Sequence, residues 1–94
     1  MSLPSRLAFI DVESTGAHPV RDRITEIAAV RFEQGIEVAR WSTLVNPGTH
    51  ISHFIEQLTG ISNHMVASAP RFSEVATELL TLLAHDSDAF NRWE

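Results

Sequence analysis

Apolar and polar positions along the chain predict three strands followed by helices. Residues 7–12 are nearly all apolar, which predicts a buried strand, and Ile24–Glu33 is rich in β-branched and small apolar residues, which predicts a second. A third strand is expected over residues 36–45. Because only Gln34 and Gly35 separate the second and third strands, we expect them to pair antiparallel.

The second half of the chain predicts helices. Ser52 is a suitable N-cap for a helix over residues 53–58, Gly60 ends it, and Ser62 is suited to start another short turn. The clearest helix is Phe72–Leu83, where apolar residues recur at spacings of three and four and predict one apolar stripe. The expected stripe consists of Phe72, Val75, Ala76, Leu79, Leu80 and Leu83.

Composition limits the class of protein. The 94 residues allow one small domain, and 44% of them are hydrophobic, which is ordinary for a globular protein. The absence of cysteine excludes a disulfide framework and a thiolate metal site. A net charge of −5 argues against binding of nucleic acid through a broad basic surface. No apolar run approaches the length of a transmembrane helix, and we see no signal peptide.

Two carboxylates, Asp11 and Glu13, stand two residues apart where the first apolar segment ends. Side chains at i and i+2 of a strand point to the same face, so both acids are expected side by side. Adjacent carboxylates repel each other unless a positive charge lies between them, and Mg²⁺ or Mn²⁺ prefers oxygen ligands. The pair is a candidate metal site, although the default interpretation of a bare Asp-x-Glu is two solvated acids at a strand end.

The segment FIDVESTG at residues 9–16 resembles the first motif of the DEDD-type 3′–5′ exonucleases, the family of the epsilon proofreading subunit of bacterial DNA polymerase III. Further segments follow in the family's order: DRITEIAAV at 22–30, LVNPG at 44–48, IEQLTGIS at 55–62, and the helix Phe72–Leu83. The resemblance covers about residues 7–84. It implies an α/β, ribonuclease H-like fold that is truncated, with three antiparallel strands followed by helices.

The resemblance also implies a chemistry and a set of site residues. The family hydrolyses phosphodiesters with two Mg²⁺ or Mn²⁺ ions, so Asp11 and Glu13 would be catalytic metal ligands. The residues expected around the 3′-terminal nucleotide are Val12, Ser14, Thr15, Gly16, Leu58 and Thr59. Gly16 lacks a Cβ, so a sugar or base can approach its backbone closely. A plain turn is the alternative for Thr15 and Gly16, and a helix end that fills the core is the favoured alternative for Leu58.

The implied partners are the 3′ end of single-stranded DNA, with RNA as a second candidate, and a DNA polymerase subunit. A cytoplasmic protein without a membrane partner is expected.

Departures from the family pattern concern the end of the chain. The family needs four acids and a general-base His, and its second motif is a strand ending in Ala-His-Asn followed by Phe-Asp. The segment AHDSDAF at residues 84–90 resembles that motif only faintly, so no catalytic role is assigned to Asp86 or Asp88. We expect residues 85–94 to be a tail whose alignment with the family is doubtful. The chain is expected to be an incomplete exonuclease domain that is inactive alone. One alternative is a non-catalytic module that binds either nucleic acid or a polymerase subunit. The other is a truncated product without a function of its own.

Other candidates for function have more ordinary explanations. Glu26 is interpreted as structural and Trp41 as a core residue, although a tryptophan can stack on bases. The five histidines are scattered and are interpreted as surface residues. Arg21 and Arg23 could steer phosphate, although solvated charges are the simpler interpretation.

Overall fold

A computed structural model describes residues 4–18 and 22–84. The chain forms β1 (Arg6–Ser14), β2 (Ile24–Glu33) and β3 (Ile36–Leu44), then α1 (His53–Thr59), α2 (Asn63–Val66) and α3 (Phe72–Leu83). The strands lie in the order β1-β2-β3, and both neighbouring pairs are antiparallel. The predicted sheet and helices are therefore confirmed, with β1 longer than expected at both ends. None of the helices in these ranges is long and apolar enough to span a membrane.

Local sequence signals account for the turns and helix ends. Gln34 and Gly35 both have positive φ angles, 51° and 79°, as a tight two-residue hairpin between twisted strands requires. The Ser52 hydroxyl accepts a hydrogen bond from the Ile55 amide at 3.2 Å, and Gly60 ends α1 with a φ of 75°. These residues behave as the sequence predicts.

The main core lies between α3 and one face of β2 and β3. Ile27 of β2 packs with Val75, and Ala29 packs with Leu82, which is completely buried. The predicted stripe of α3 is wrong in three places: Leu82 was left out of it, and Phe72 and Leu80 are 46% and 67% exposed. The helix carries apolar residues on more than one side, so spacing alone did not identify the side that faces the sheet.

Arg31 is a buried charge that holds the end of α3 against β2. Its side chain is 2% exposed, and its Nη1 donates hydrogen bonds to the carbonyl oxygens of Leu82 (3.4 Å) and Ala84 (2.7 Å). Its Nη2 lies 3.3 Å from Oε1 of Glu33. A cation at a helix C-terminus satisfies carbonyls that have no partner within the helix and opposes the negative end of the helix dipole.

The prediction that β1 is a buried strand is wrong for the described residues. Phe9, Ile10 and Val12 are 57%, 47% and 46% exposed. Among the described strands, β1 has only β2 beside it, and the buried side chains that face α3 come from β2 and β3. Apolar composition predicted the strand correctly but could not tell how much of it the rest of the fold covers.

A separate cluster fixes the segment between β3 and α3. Ile51, Ile61 and Val66 are buried against one another. Asn63 pairs with the backbone of Ile51 as a strand residue would: its Oδ1 accepts from the Ile51 amide at 2.7 Å, and its Nδ2 donates to the Ile51 carbonyl at 2.8 Å. Glu56 accepts from the amide of Asn63 at 2.7 Å and completes the network.

Candidate active site

Asp11 and Glu13 lie on one face of the sheet, close to the end of β1. Asp11 pairs with Ala28, and Glu13 pairs with Glu26. Ile27 faces α3, and successive side chains of a strand alternate between faces, so both acids occupy the face that α3 does not cover. Asp11 is exposed and Glu13 is half-buried. The structure therefore brings the two predicted carboxylates together on an open surface.

Glu26 adds a third carboxylate to the same face. It lies directly opposite Glu13, a position at which Cβ atoms are about 4.5–5.5 Å apart. Within residues 4–18 and 22–84, no group of three or more acidic or histidine side chains is arranged to hold a metal ion. Glu26 was interpreted as structural from sequence because the strand register, which brings it beside Glu13, was not known.

The loop after β1 is held by Asp22. Its two carboxylate oxygens accept hydrogen bonds from the Thr15 hydroxyl at 3.0 Å and from the His18 amide at 2.8 Å. A Cβ placed on Gly16 would lie 2.5 Å from Asp22 Oδ2. The absence of a side chain at Gly16 thus permits a close carboxylate contact within the protein itself, a role that the sequence did not indicate.

Thr15 and Ser14 also use their polar atoms within the loop. The Thr15 amide donates to the Arg23 carbonyl at 2.8 Å, and the Thr15 hydroxyl accepts from the Arg23 amide at 2.9 Å. The Ser14 hydroxyl donates to the Gly16 carbonyl at 2.5 Å. Val12 pairs with Ile27 and therefore points to the face opposite the two acids.

Leu58 and Thr59 occupy the end of α1. Leu58 is 69% exposed, so the alternative that it fills the core is wrong. α1 has no buried residue of its own, which explains why an apolar side chain at its end remains accessible. The Thr59 hydroxyl donates to the Ile55 carbonyl at 2.9 Å and accepts from the Ile61 amide at 3.1 Å, so it stabilises the helix end.

The remaining candidates are spread over the molecule. Trp41 is half-buried and packs against the core beneath α3, as the sequence predicts. His53 is largely exposed, and its Nδ1 lies 3.9 Å from Glu56 Oε1. Asp86 and Asp88 lie outside the described residues.

Comparisons with known proteins agree with the fold. A family model described as Exonuclease (RNase_T) matches residues 8–89. The chain is 49% identical over 79 residues to the 3′-5′ exonuclease DinG of Bacillus subtilis (strain 168). It is 41% identical over 78 residues to DNA polymerase III subunit epsilon of Aquifex aeolicus (strain VF5). Each match covers 83% of the chain.

Solved structures give the same result. Exonuclease X in complex with 5′ overhanging duplex DNA matches 77% of this chain with a TM-score of 0.68 and 32% identity. The nuclease domain of 3′hExo, a DEDDh family member bound to rAMP, matches 84% with a TM-score of 0.72 and 25% identity. The ribonuclease H-like α/β fold is confirmed.

The chain spans only part of these proteins: 8% of DinG, 39% of the epsilon subunit, 42% of exonuclease X and 44% of the 3′hExo chain. Its relatives are 3′–5′ exonucleases and DNA polymerase III subunits. The order of its elements and the match over residues 8–89 show that the chain belongs to the exonuclease family.

Proposed function

We propose that residues 7–84 are the N-terminal part of a 3′–5′ exonuclease domain that hydrolyses terminal phosphodiesters of DNA. The observation that carries the proposal is the shared, uncovered face of Asp11 and Glu13 at the end of β1. Membership of the exonuclease family supports the reaction class. In this proposal Asp11 and Glu13 are the first two catalytic carboxylates of the complete domain.

The donor set fits a hard divalent cation. Asp11 and Glu13 offer only carboxylate oxygens, which Mg²⁺ and Mn²⁺ prefer, and two adjacent negative charges gain from a cation between them. Ions of this kind lower the pKa of a bound water and stabilise the oxygen that leaves the phosphorus. Asp11 and Glu13 would bind the metal at the end of β1, next to the loop beginning at Ser14, where the nucleotide would bind.

The loop after β1 would shape the pocket for the 3′-terminal nucleotide. The amide and hydroxyl of Thr15 and the hydroxyl of Ser14 already make internal hydrogen bonds. These residues, with Val12 and Gly16, would therefore contribute backbone position and shape rather than new hydrogen bonds from their side chains.

The end of α1 would contribute an apolar surface. Leu58 is exposed and can pack on a base or sugar, whereas the Thr59 hydroxyl is used within the helix end. This assignment predicts that truncation of Leu58 weakens nucleotide binding more than removal of the Thr59 hydroxyl does.

The proposed substrate is the 3′ end of a DNA strand, and the proposed protein partner is a DNA polymerase subunit. One structural neighbour is described in complex with duplex DNA, and one relative is a DNA polymerase III subunit. DNA replication would place the protein in the cytoplasm.

The decisive experiment is a titration of the chain with Mn²⁺ by calorimetry. We expect weak, approximately millimolar binding, because two carboxylates supply only part of a metal site. Asp11→Ala should remove this binding. Glu78→Ala, which removes an exposed carboxylate from α3 on the other side of the sheet, is the matched control and should bind like the unsubstituted chain. Equal binding by the Asp11 variant would refute the site.

A further inference from the structure

A cleft of about 560 Å³ opens between the start of β2, the turn after β3 and the first turn of α3. Two arginines, Arg23 and Arg71, line it, together with Asn46 and Ser73. The C-terminal end of β1, the N-terminal end of β2 and the C-terminal end of β3 lie at the same edge of the antiparallel sheet. The cleft therefore lies at the end of the sheet that carries Asp11 and Glu13.

Arg71 is held in the cleft by contacts on two sides. Its backbone forms a parallel bridge with Asn46, whose amide donates to the Pro70 carbonyl at 2.8 Å. A Cβ on Gly48 would lie 2.5 Å from Arg71 Nη2, so the guanidinium packs directly over that glycine. The guanidinium therefore lies against the turn after β3, at the wall of the cleft.

Arg71 also differs from three other arginines in the described ranges. Arg6 and Arg31 contact Glu33, and Arg40 contacts Glu37. For Arg71, no carboxylate among residues 4–18 and 22–84 lies within ion-pair distance. An acidic chain with a net charge of −5 thus holds one guanidinium in place without a described carboxylate beside it.

Arg23 connects the cleft to the candidate active site. Its backbone pairs with Thr15, one residue beyond the end of β1. Arg23 lies three residues before Glu26, the residue opposite Glu13, and three residues of extended strand span about 10 Å. Asp22 also lines the cleft, but both of its carboxylate oxygens accept hydrogen bonds from Thr15 and His18.

We propose that this cleft binds a phosphodiester group of the nucleic-acid strand whose 3′ end lies at Asp11 and Glu13. Guanidinium groups bind phosphate oxygens through paired, charge-assisted hydrogen bonds, and Arg23 and Arg71 can approach one phosphate from two sides of the cleft. A phosphate about 10 Å from the carboxylates is too far away to be the scissile one. Because only the terminal nucleotide lies beyond the scissile phosphate, the phosphate in the cleft would lie upstream. The location of the 3′ end rests on the proposed function, whereas phosphate binding by the cleft does not.

The test measures binding of a 5′-fluorescein-labelled oligothymidylate by anisotropy, with EDTA present so that metal ions do not contribute. Affinity is measured over a series of salt concentrations for the unsubstituted chain, Arg23→Gln and Arg71→Gln. Arg40→Gln is the control, because it removes the same charge from an exposed site on β3. For single strands the slope of log K against log[salt] is about −0.7 per neutralised phosphate. Because both arginines contact the same phosphate, each cleft variant should reduce the magnitude of the slope by up to about 0.7, and the control should leave it unchanged.

A second arm distinguishes the strand from a free anion. Inorganic phosphate is titrated while the amide resonances of Asn46 and Ser73 are followed by NMR. One outcome would show a site for a free anion and overturn the proposal: inorganic phosphate saturates the cleft, while Arg23→Gln and Arg71→Gln leave the salt dependence of oligonucleotide binding unchanged. Slopes equal to that of Arg40→Gln, or no oligonucleotide binding by the unsubstituted chain, would also overturn it. The Mn²⁺ titration tests the carboxylates separately, so failure of one site is distinguishable from failure of the other.

Discussion

Substitution of Glu26 by Gln should change stability and metal affinity in opposite directions. Glu26 faces Glu13 directly across the β1–β2 pair, and like charges in this position are destabilising; favourable cross-strand pairs contribute about 0.2–1 kcal/mol, which sets the scale. Glu26→Gln keeps the size of the side chain and removes the charge. Without metal, the free energy of unfolding should therefore rise by up to about 1 kcal/mol.

The same substitution should weaken metal binding. A single negative charge about 6 Å from a divalent cation contributes about 1.4 kcal/mol at the dielectric constant of water, which is about tenfold in affinity. Glu26→Gln should reduce Mn²⁺ affinity by up to about tenfold without abolishing binding, because Asp11 and Glu13 remain. Ionic screening reduces this value, so the measurement is best made at low salt.

The two effects are measured by urea unfolding, followed by tryptophan fluorescence in EDTA, and by calorimetric titration with Mn²⁺. Glu78→Gln on α3 removes the same charge on the other side of the sheet and should change neither quantity appreciably. If Glu26→Gln left both quantities unchanged, the three carboxylates would not act on one another. A parallel loss of stability and affinity would instead show that Glu26 has a structural role.

Three further predictions concern the loop, the helix end and activity. Gly16→Ala should lower the free energy of unfolding by about 1–3 kcal/mol, because its Cβ would meet the Asp22 carboxylate. Urea unfolding should show a smaller loss when the same substitution is made in an Asp22→Ala background. An equal loss in both backgrounds would contradict the contact between position 16 and Asp22. Arg31→Met should lower the free energy of unfolding by about 2–4 kcal/mol, because the carbonyls at the end of α3 lose a charged hydrogen-bond donor. Arg40→Met, at an exposed ion pair, is the control, and equal losses would refute the role of burial. The chain alone should release almost no 5′-mononucleotides from single-stranded DNA with Mn²⁺, because the described carboxylates form no group of three or more that could hold a metal ion, and the reaction needs two ions. Robust release that Asp11→Ala abolishes would contradict this.

Local sequence signals predicted those parts of the fold that depend on neighbouring residues. The turn at Gln34 and Gly35 and the caps at Ser52 and Gly60 each depend on the conformation or hydrogen bonding of one or two residues. The alternation of side chains in a strand likewise placed Asp11 and Glu13 on one face. For these features the residue type itself contains the necessary information.

Features that depend on distant residues could not be predicted in the same way. An arginine in the middle of a strand indicates an exposed side chain, yet Arg31 is buried because the end of α3 lies above it. Leu82 and Leu80 are chemically identical, and only the position of the sheet decides which is buried. Glu26 lies on the same face as Asp11 and Glu13 because of the register between β1 and β2, which depends on pairing along the full length of both strands.

The contacts of Arg31 and Asn63 also suggest the order in which the chain folds. Asn63 and Ile51 are 12 residues apart, whereas Arg31 and Ala84 are 53 residues apart. Closing a longer loop costs more chain entropy, so the β2–β3 hairpin and the Ile51–Asn63 contacts should form before α3 docks. Substitutions at Arg31 test the timing of this docking. If α3 docks after the rate-limiting step, they should accelerate unfolding and leave the folding rate almost unchanged, whereas slower folding would show that docking is part of that step.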